Sequence, residues 1–224
     1  MTALLAGLVP PGTVAVESFG DTADAFLYPE EEACIARAVD KRRREFTSAR
    51  VCARAALAQL GIPPAPILPG PRGAPAWPAG VVGSMTHCDG YRAAAVALGR
   101  DVCTIGIDAE PAGPLPDGVL EAIALDPERA SVSGLSAAVP GVPWDRLLFS
   151  AKEAVYKAWF PLTGAWLDFH QARIDIDPAA HTFTATLLVP GPVAGGTRLS
   201  GFAGRWLHRD GLVATAIVQR QPID

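Results

Sequence analysis

Val102-Cys103-Thr104-Ile105-Gly106-Ile107-Asp108-Ala109-Glu110 limits the fold of this chain more than any other run of residues. Its apolar residues alternate as in a half-buried strand, and the alternation ends in two carboxylates. A period of two sends Asp108 and Glu110 to one face, while Cys103, Ile105 and Ile107 take the other. At about 4 Å two such charges repel by roughly 1 kcal/mol in water, and by about 4 kcal/mol at an effective dielectric of 20. A partly buried pair therefore calls for a cation or a shared proton.

A second element supplies the complementary groups. Residues 147–160 lack Gly and Pro and carry apolar positions at Leu148, Ala151, Val155 and Trp159, so they read as an amphipathic helix stopped by Pro161. Glu153 and Lys157 stack on one face of it. Alone, that spacing is an ordinary helix pair worth about 0.2–0.5 kcal/mol. With Asp108 and Glu110 it becomes three carboxylates and a lysine, which suits Mg²⁺ on a polyphosphate; Mn²⁺ is the alternative cation. The lysine would neutralise charge on a leaving phosphate.

Composition narrows the class. A chain of 224 residues, 50% hydrophobic and 19% charged, folds as one large or two small domains. With a net charge of −4, its overall field does not favour nucleic acid. Cys34, Cys52, Cys88 and Cys103 have no C-x-x-C spacing, and His87, His170, His181 and His208 are scattered, which argues against zinc and against a disulfide framework. The opening residues lack a basic leader region and are broken by Pro10-Pro11-Gly12, and no apolar run spans a bilayer. The expectation is a cytoplasmic protein with no membrane partner.

The expected elements are a strand over 14–19, a helix from Glu30 to Leu60 broken near Asp40, and a Pro-rich connection over 62–80. A turn-like stretch over 83–90 and a strand over 91–98 follow. Beyond Glu110 come a short helix over 117–125, an irregular stretch before Trp144 and the Lys157 helix. Strands over 172–176, 183–189, 204–208 and 212–219 complete the chain, with Asp210-Gly211 as a hairpin turn. Each half gives strands plus one long helix, so the fold class is α+β.

Two further clusters point to anions. Lys41, Arg42, Arg43, Arg44, Arg50 and Arg54 place six cations within fourteen residues, with Glu45 the one acid among them. Such a run is either a solvated face or a phosphate clamp. Gly83-Ser84-Met85-Thr86-His87 offers hydroxyls, a histidine and backbone N–H groups to phosphate oxygens, although a lone histidine is commonly structural.

Together, three blocks resemble the signatures of 4′-phosphopantetheinyl transferases. They are Trp77-Pro78-x-Gly80-x-x-Gly83-Ser84-Met85-Thr86-His87-Cys88, Ile105-Gly106-Ile107-Asp108-Ala109-Glu110-Pro111 and Phe149-Ser150-Ala151-Lys152-Glu153-Ala154-Val155-Tyr156-Lys157-Ala158-Trp159-Phe160-Pro161. Residues 42–60 and Trp166-Leu167-x-Phe169 extend the likeness over nearly the whole chain, and the similarity is to the monomeric type serving siderophore, nonribosomal-peptide and polyketide synthases.

The resemblance implies two similar α+β subdomains related by a pseudo-twofold axis, 1–103 and 104–224, with coenzyme A between them. It implies transfer of the phosphopantetheine arm to a serine of apo acyl, peptidyl or aryl carrier proteins, releasing adenosine 3′,5′-bisphosphate. By match of motif, Asp108, Glu110 and Glu153 hold Mg²⁺, the serine proton goes to Glu153 directly or through water, and Lys157 supports the leaving group. Thr86, His87, Asp108 and Lys157 meet the pyrophosphate side, and Arg42 and Arg50 the 3′-phosphate. The chain departs from the pattern at Ile67-Leu68-Pro69-Gly70, where many relatives carry a lysine; Arg72 is the nearby substitute. Two other classes compete: a metal-dependent nuclease using a D…E-x-K arrangement, and a non-catalytic coenzyme A-binding module.

Overall fold

The computed structural model describes residues 3–22 and 25–222; the outermost residues of the two expected halves, Met1 and Asp224, lie outside them. The first half holds β1 (Thr13–Phe19), the helices α1 (Pro29–Cys34) and α2 (Asp40–Gln59), and the strands β2 (Val81–Cys88) and β3 (Tyr91–Leu98). Its three strands form an antiparallel sheet in the order β1-β3-β2. Alternation along the alanine-rich β3 decides what packs where. Ala94 and Val96 meet Cys52, Ala53, Ala56 and Leu57 of α2, whereas Ala93, Ala95 and Ala97 face the second half. Small side chains on both faces let a helix and a second sheet approach the same strand.

The second half contains β4 (Val102–Pro111), α3 (Val119–Ile123), α4 (Asp126–Ala138), α5 (Trp144–Thr163), β5 (Ala172–Asp177) and β6 (Thr182–Leu187). A short hairpin of β7 (Val193–Ala194) and β8 (Thr197–Arg198) follows, then β9 (Gly201–Arg209) and β10 (Leu212–Arg220). The main sheet runs β4-β10-β9-β6-β5. The topology of the first half recurs here. β1, α2, β2, β3 correspond in order to β4, α5, β9, β10; in each half the opening strand pairs with the last, and the penultimate strand flanks the last on its other side. The fold is α+β, as expected.

Helix α5 lies directly on β4 because Gly106 has no side chain. A Cβ there would collide with the Ala154 carbonyl and stand 2.8 Å from the Ala158 nitrogen. The other side of α5 is pinned by Lys152, whose ammonium reaches the Phe169 and Ala172 carbonyls at 2.7 and 2.9 Å and Glu128 of α4 at 2.9 Å. Three acceptors satisfy its three N–H donors, which makes burial of the charge tolerable.

Several expectations need correction. Residues 83–88 are not turn-like but belong to β2; the turn is Asp89-Gly90, with Gly90 at φ 73°. The stretch before Trp144 is not irregular, since α4 occupies most of it. Pro161 does not stop α5, which runs to Thr163 and ends at Gly164, φ 64°. A proline in the last turn costs one N–H near an end that already leaves carbonyls unpaired. The Asp210-Gly211 hairpin stands as expected, both residues having positive φ.

Across the seam between the halves, β2 faces β4 with side chains in place of a backbone ladder. Ser84 Oγ accepts from the Ile107 N–H, and Thr86 Oγ1 from the Ala109 N–H, each at 3.1 Å.

Candidate active site

Asp108 is 4% exposed at this seam. Its Oδ1 accepts from the Lys157 ammonium at 2.7 Å and from the Thr86 hydroxyl at 3.3 Å. Because Thr86 Oγ1 already accepts from Ala109, its hydrogen is free to point to Asp108. Oδ2 is buried with no partner, an expensive state for a carboxylate oxygen and one that a cation removes. Lys157 also donates to the Ile107 carbonyl at 3.1 Å. Its ion pair is with Asp108 across the helix–sheet gap, not with Glu153 on its own helix.

Glu110, at the end of β4, is pushed up to about 7, first by burial and then by the charge of Asp108, while Arg146 and Lys157 pull it down. Arg146 is a residue the sequence reading missed. Its Nη1 lies 3.3 Å from Glu110 Oε2, and its remaining donors hold the Gly113 and Pro114 carbonyls at 3.1 and 2.7 Å. Glu153 is also raised, by burial first; Lys157 lowers it and Asp108 raises it. The three carboxylates thus share one electrostatic neighbourhood. Among the described residues, however, no three acidic, histidine or cysteine side chains close into a ready-made metal cage. The donor set is hard oxygen with unbalanced negative charge, and together with the orphaned Oδ2 it fits a divalent cation such as Mg²⁺.

A cavity of about 530 Å³ opens beside Glu153 and Lys157, walled by Trp77 and Met85 from the first half and by Tyr156 and Phe160 from the second. The Tyr156 hydroxyl is buried without a partner. Gly83 gives the indole of Trp77 room, since a Cβ there would stand 2.8 Å from its ring carbons, and the indole N–H donates to the Gly83 carbonyl at 2.9 Å. Arg72 also lines the cavity, with its guanidinium 5.3 Å from the Trp166 ring centroid. Pro69 is fixed in a bridge to Pro75.

Among the anion-binding candidates, exposed Arg42 meets His87 at 2.7 Å, and Glu45 approaches the opposite ring nitrogen at 3.5 Å. Arg50 is placed differently from the expected clamp. It is 4% exposed, donates to the Ile67 carbonyl at 2.8 Å and lies 3.7 Å from Glu31. Burial pushes it down to about 10. Glu31 also holds Arg54 at 2.9 Å and accepts from the Ile67 N–H, while Asp21 takes Arg44 and Arg92. Acids from outside α2 therefore pair with four of the six cations, since Lys41 also lies 3.9 Å from Asp89. Thr86, expected in a phosphate loop, is 3% exposed in a strand and spends its hydroxyl on Asp108.

Two halves of like topology meet at a carboxylate cluster beside an apolar cleft. The relatives give the class. Residues 30–97 match the 4′-phosphopantetheinyl transferase N-terminal domain, and residues 104–196 match the 4′-phosphopantetheinyl transferase superfamily. The chain is 60% identical over 222 residues to 4′-phosphopantetheinyl transferase Svp of Streptomyces mobaraensis, covering 98% of this chain and 90% of that protein. It is 51% identical to Npt of Nocardia iowensis (94% of this chain, 97% of that protein) and 50% identical to PptT of Mycobacterium tuberculosis (96% and 97%), both also named 4′-phosphopantetheinyl transferases. The chain belongs to the 4′-phosphopantetheinyl transferase superfamily and is an enzyme of that class, acting on coenzyme A and carrier proteins.

Proposed function

We propose that this enzyme moves the phosphopantetheine arm of coenzyme A to a serine of apo acyl, peptidyl or aryl carrier proteins of siderophore, nonribosomal-peptide or polyketide assembly. Asp108, Glu110 and Glu153 would hold Mg²⁺, and the cation would neutralise charge on the pyrophosphate; Mn²⁺ would serve the same purpose. The observation that carries the reading is the buried, unpartnered Oδ2 of Asp108, beside two carboxylates whose proton affinity is raised.

The remaining work falls to the chain itself. Glu153 accepts the proton of the serine hydroxyl, its basicity raised by burial. The serine oxygen forms a bond to the phosphorus that carries the arm, the bond from that phosphorus to the bridging oxygen breaks, and adenosine 3′,5′-bisphosphate leaves with the charge. Lys157, already set between Asp108 and the cleft, offers its ammonium to that charge. Arg42 and His87 meet the phosphates directly. Thr86 acts through Asp108, and Arg50 acts from behind by fixing Ile67 at the start of the segment that carries Arg72.

The cleft suits the arm itself. Its apolar walls match the methylenes of the arm. Residues 1–103 and 104–224 act as the two halves of the site, and one chain supplies both, which favours a monomer. Four unpaired cysteines favour the cytoplasm. No helix among the described residues is long and apolar enough to cross a membrane.

The test is incubation with coenzyme A, Mg²⁺ and a panel of apo carrier proteins, followed by mass spectrometry. The arm should appear on serine, and should be lost with Asp108→Ala. Coenzyme A binding with no turnover on any carrier would favour the binding module, and cleavage of DNA the nuclease.

A further inference from the structure

His87, on β2, stands between a cation and an anion from one helix. Its Nε2 lies 2.7 Å from Arg42 Nη1, and its Nδ1 lies 3.5 Å from Glu45 Oε2. A guanidinium has donors only, so Nε2 must accept with its lone pair, and that lone pair exists only on a neutral ring. The hydrogen then sits on Nδ1, facing Glu45. This tautomer is assigned from the partners on either side of the ring.

The surroundings keep the ring neutral at rest. Burial comes first, and the charges of Arg42, of Lys157 on α5 and of Arg92 on β3 add to it; Glu45, 8% exposed, is the carboxylate that pulls the other way. In this state Arg42 spends a donor on an imidazole. A phosphate competes for that donor far better, because a guanidinium–phosphate contact is charge-assisted at both ends. Once Arg42 turns to the phosphate, Nε2 has lost its donor and faces an anion.

We propose that Glu45 is a positioning residue for anion binding, and that coenzyme A binding draws one proton from solvent onto His87. Arg42 passes from the ring to the phosphate, an N–H bond forms at Nε2 and points to the phosphate, and Glu45 steadies the imidazolium through Nδ1–H. The inference rests on the reading that Arg42 and His87 meet the phosphates of coenzyme A.

Titration calorimetry of coenzyme A with the full chain, free of metal, in buffers of contrasting ionisation enthalpy counts the protons directly. It is run at pH 7.5, above the second ionisation of a phosphate monoester near pH 6. The parent should take up more than half a proton, His87→Gln almost none, and Glu45→Gln less than half the parent value. The parent's affinity should fall by up to about tenfold per pH unit between pH 7.5 and 8.5, and that of His87→Gln should stay flat. Equal proton counts for the parent and His87→Gln would overturn the coupling. An unchanged count in Glu45→Gln, checked for folding by circular dichroism, would remove Glu45 from it. Should Glu45→Gln not fold, Glu45→Asp takes its place, and the parent count stands by itself. If Arg42→Gln and His87→Gln both bind coenzyme A as tightly as the parent, the phosphate-contact reading fails first. Weakened binding with unchanged proton counts would leave that reading intact and sink only the coupling.

Discussion

Lys157 Nζ and Asp108 Oδ1 lie 2.7 Å apart, across the gap between α5 and β4. The pair satisfies one oxygen of a carboxylate whose other oxygen has no protein partner. Lys157 thus has a structural part beside the chemical one proposed for it. Lys157→Met should destabilise the metal-free protein by about 1–3 kcal/mol, the cost of leaving a buried carboxylate without its cation and with only the Thr86 hydroxyl as donor. Millimolar Mg²⁺ should raise the Tm of the variant more than that of the parent. Equal shifts, measured by differential scanning calorimetry, would remove Asp108 from the metal site.

Glu110 gives the stability a defined pH dependence. Its carboxyl is raised from 4.5 to about 7 by burial first and the Asp108 charge second. A group that holds its proton more tightly when folded lends stability that is full below its unfolded value and is lost as pH rises through its folded one. Glu110→Gln does not titrate there, so without metal it should gain on the parent between about pH 4.5 and 7. The gain is on the order of 1–3 kcal/mol. Urea unfolding from pH 4 to 8 checks it; parallel curves throughout would mean that Glu110 ionises normally.

Arg42 and Arg50 should separate cleanly. Arg42→Ala, at an exposed position, should weaken coenzyme A more than dephospho-coenzyme A and leave the Tm nearly unchanged. Arg50→Ala leaves Glu31 without one of its cations and the Ile67 carbonyl without its donor. It should cost about 3–5 kcal/mol of stability and weaken both ligands alike. Selective loss of the 3′-phosphate preference in a stable Arg50→Ala would return Arg50 to the ligand.

Glu153→Gln should lower single-turnover transfer by about 10²–10⁴-fold at saturating coenzyme A and carrier, because an amide cannot take the serine proton. Coenzyme A binding should change much less. A rate near that of the parent would transfer the proton to another acceptor.

What the sequence made legible was local. Asp108-x-Glu110 could be placed because strand periodicity alone puts both on one face, and Asp210-Gly211 because its turn needs positive φ at both residues. What it hid depended on partners far along the chain. Six cations near α2 look alike until Glu31 and Asp21 claim three of them. Ser84 and Thr86 have turn-like chemistry, yet pairing of β2 with β3 overrides it and turns their hydroxyls onto the edge of β4. Arg146 gave no signal, since only the fold brings it to Glu110. Helix α4 shows few apolar positions, and it is anchored by Glu128 bonding Lys152 and the Ile174 N–H.

The Thr86 hydroxyl belongs to two structures at once. It accepts from the edge of β4, which joins the halves, and it donates to Asp108, the proposed metal ligand. The seam between the halves and the orientation of the Asp108 carboxylate therefore share a single oxygen atom. Thr86→Val, which keeps the shape of the side chain but removes that oxygen, would therefore loosen the seam and free the Asp108 carboxylate in a single step.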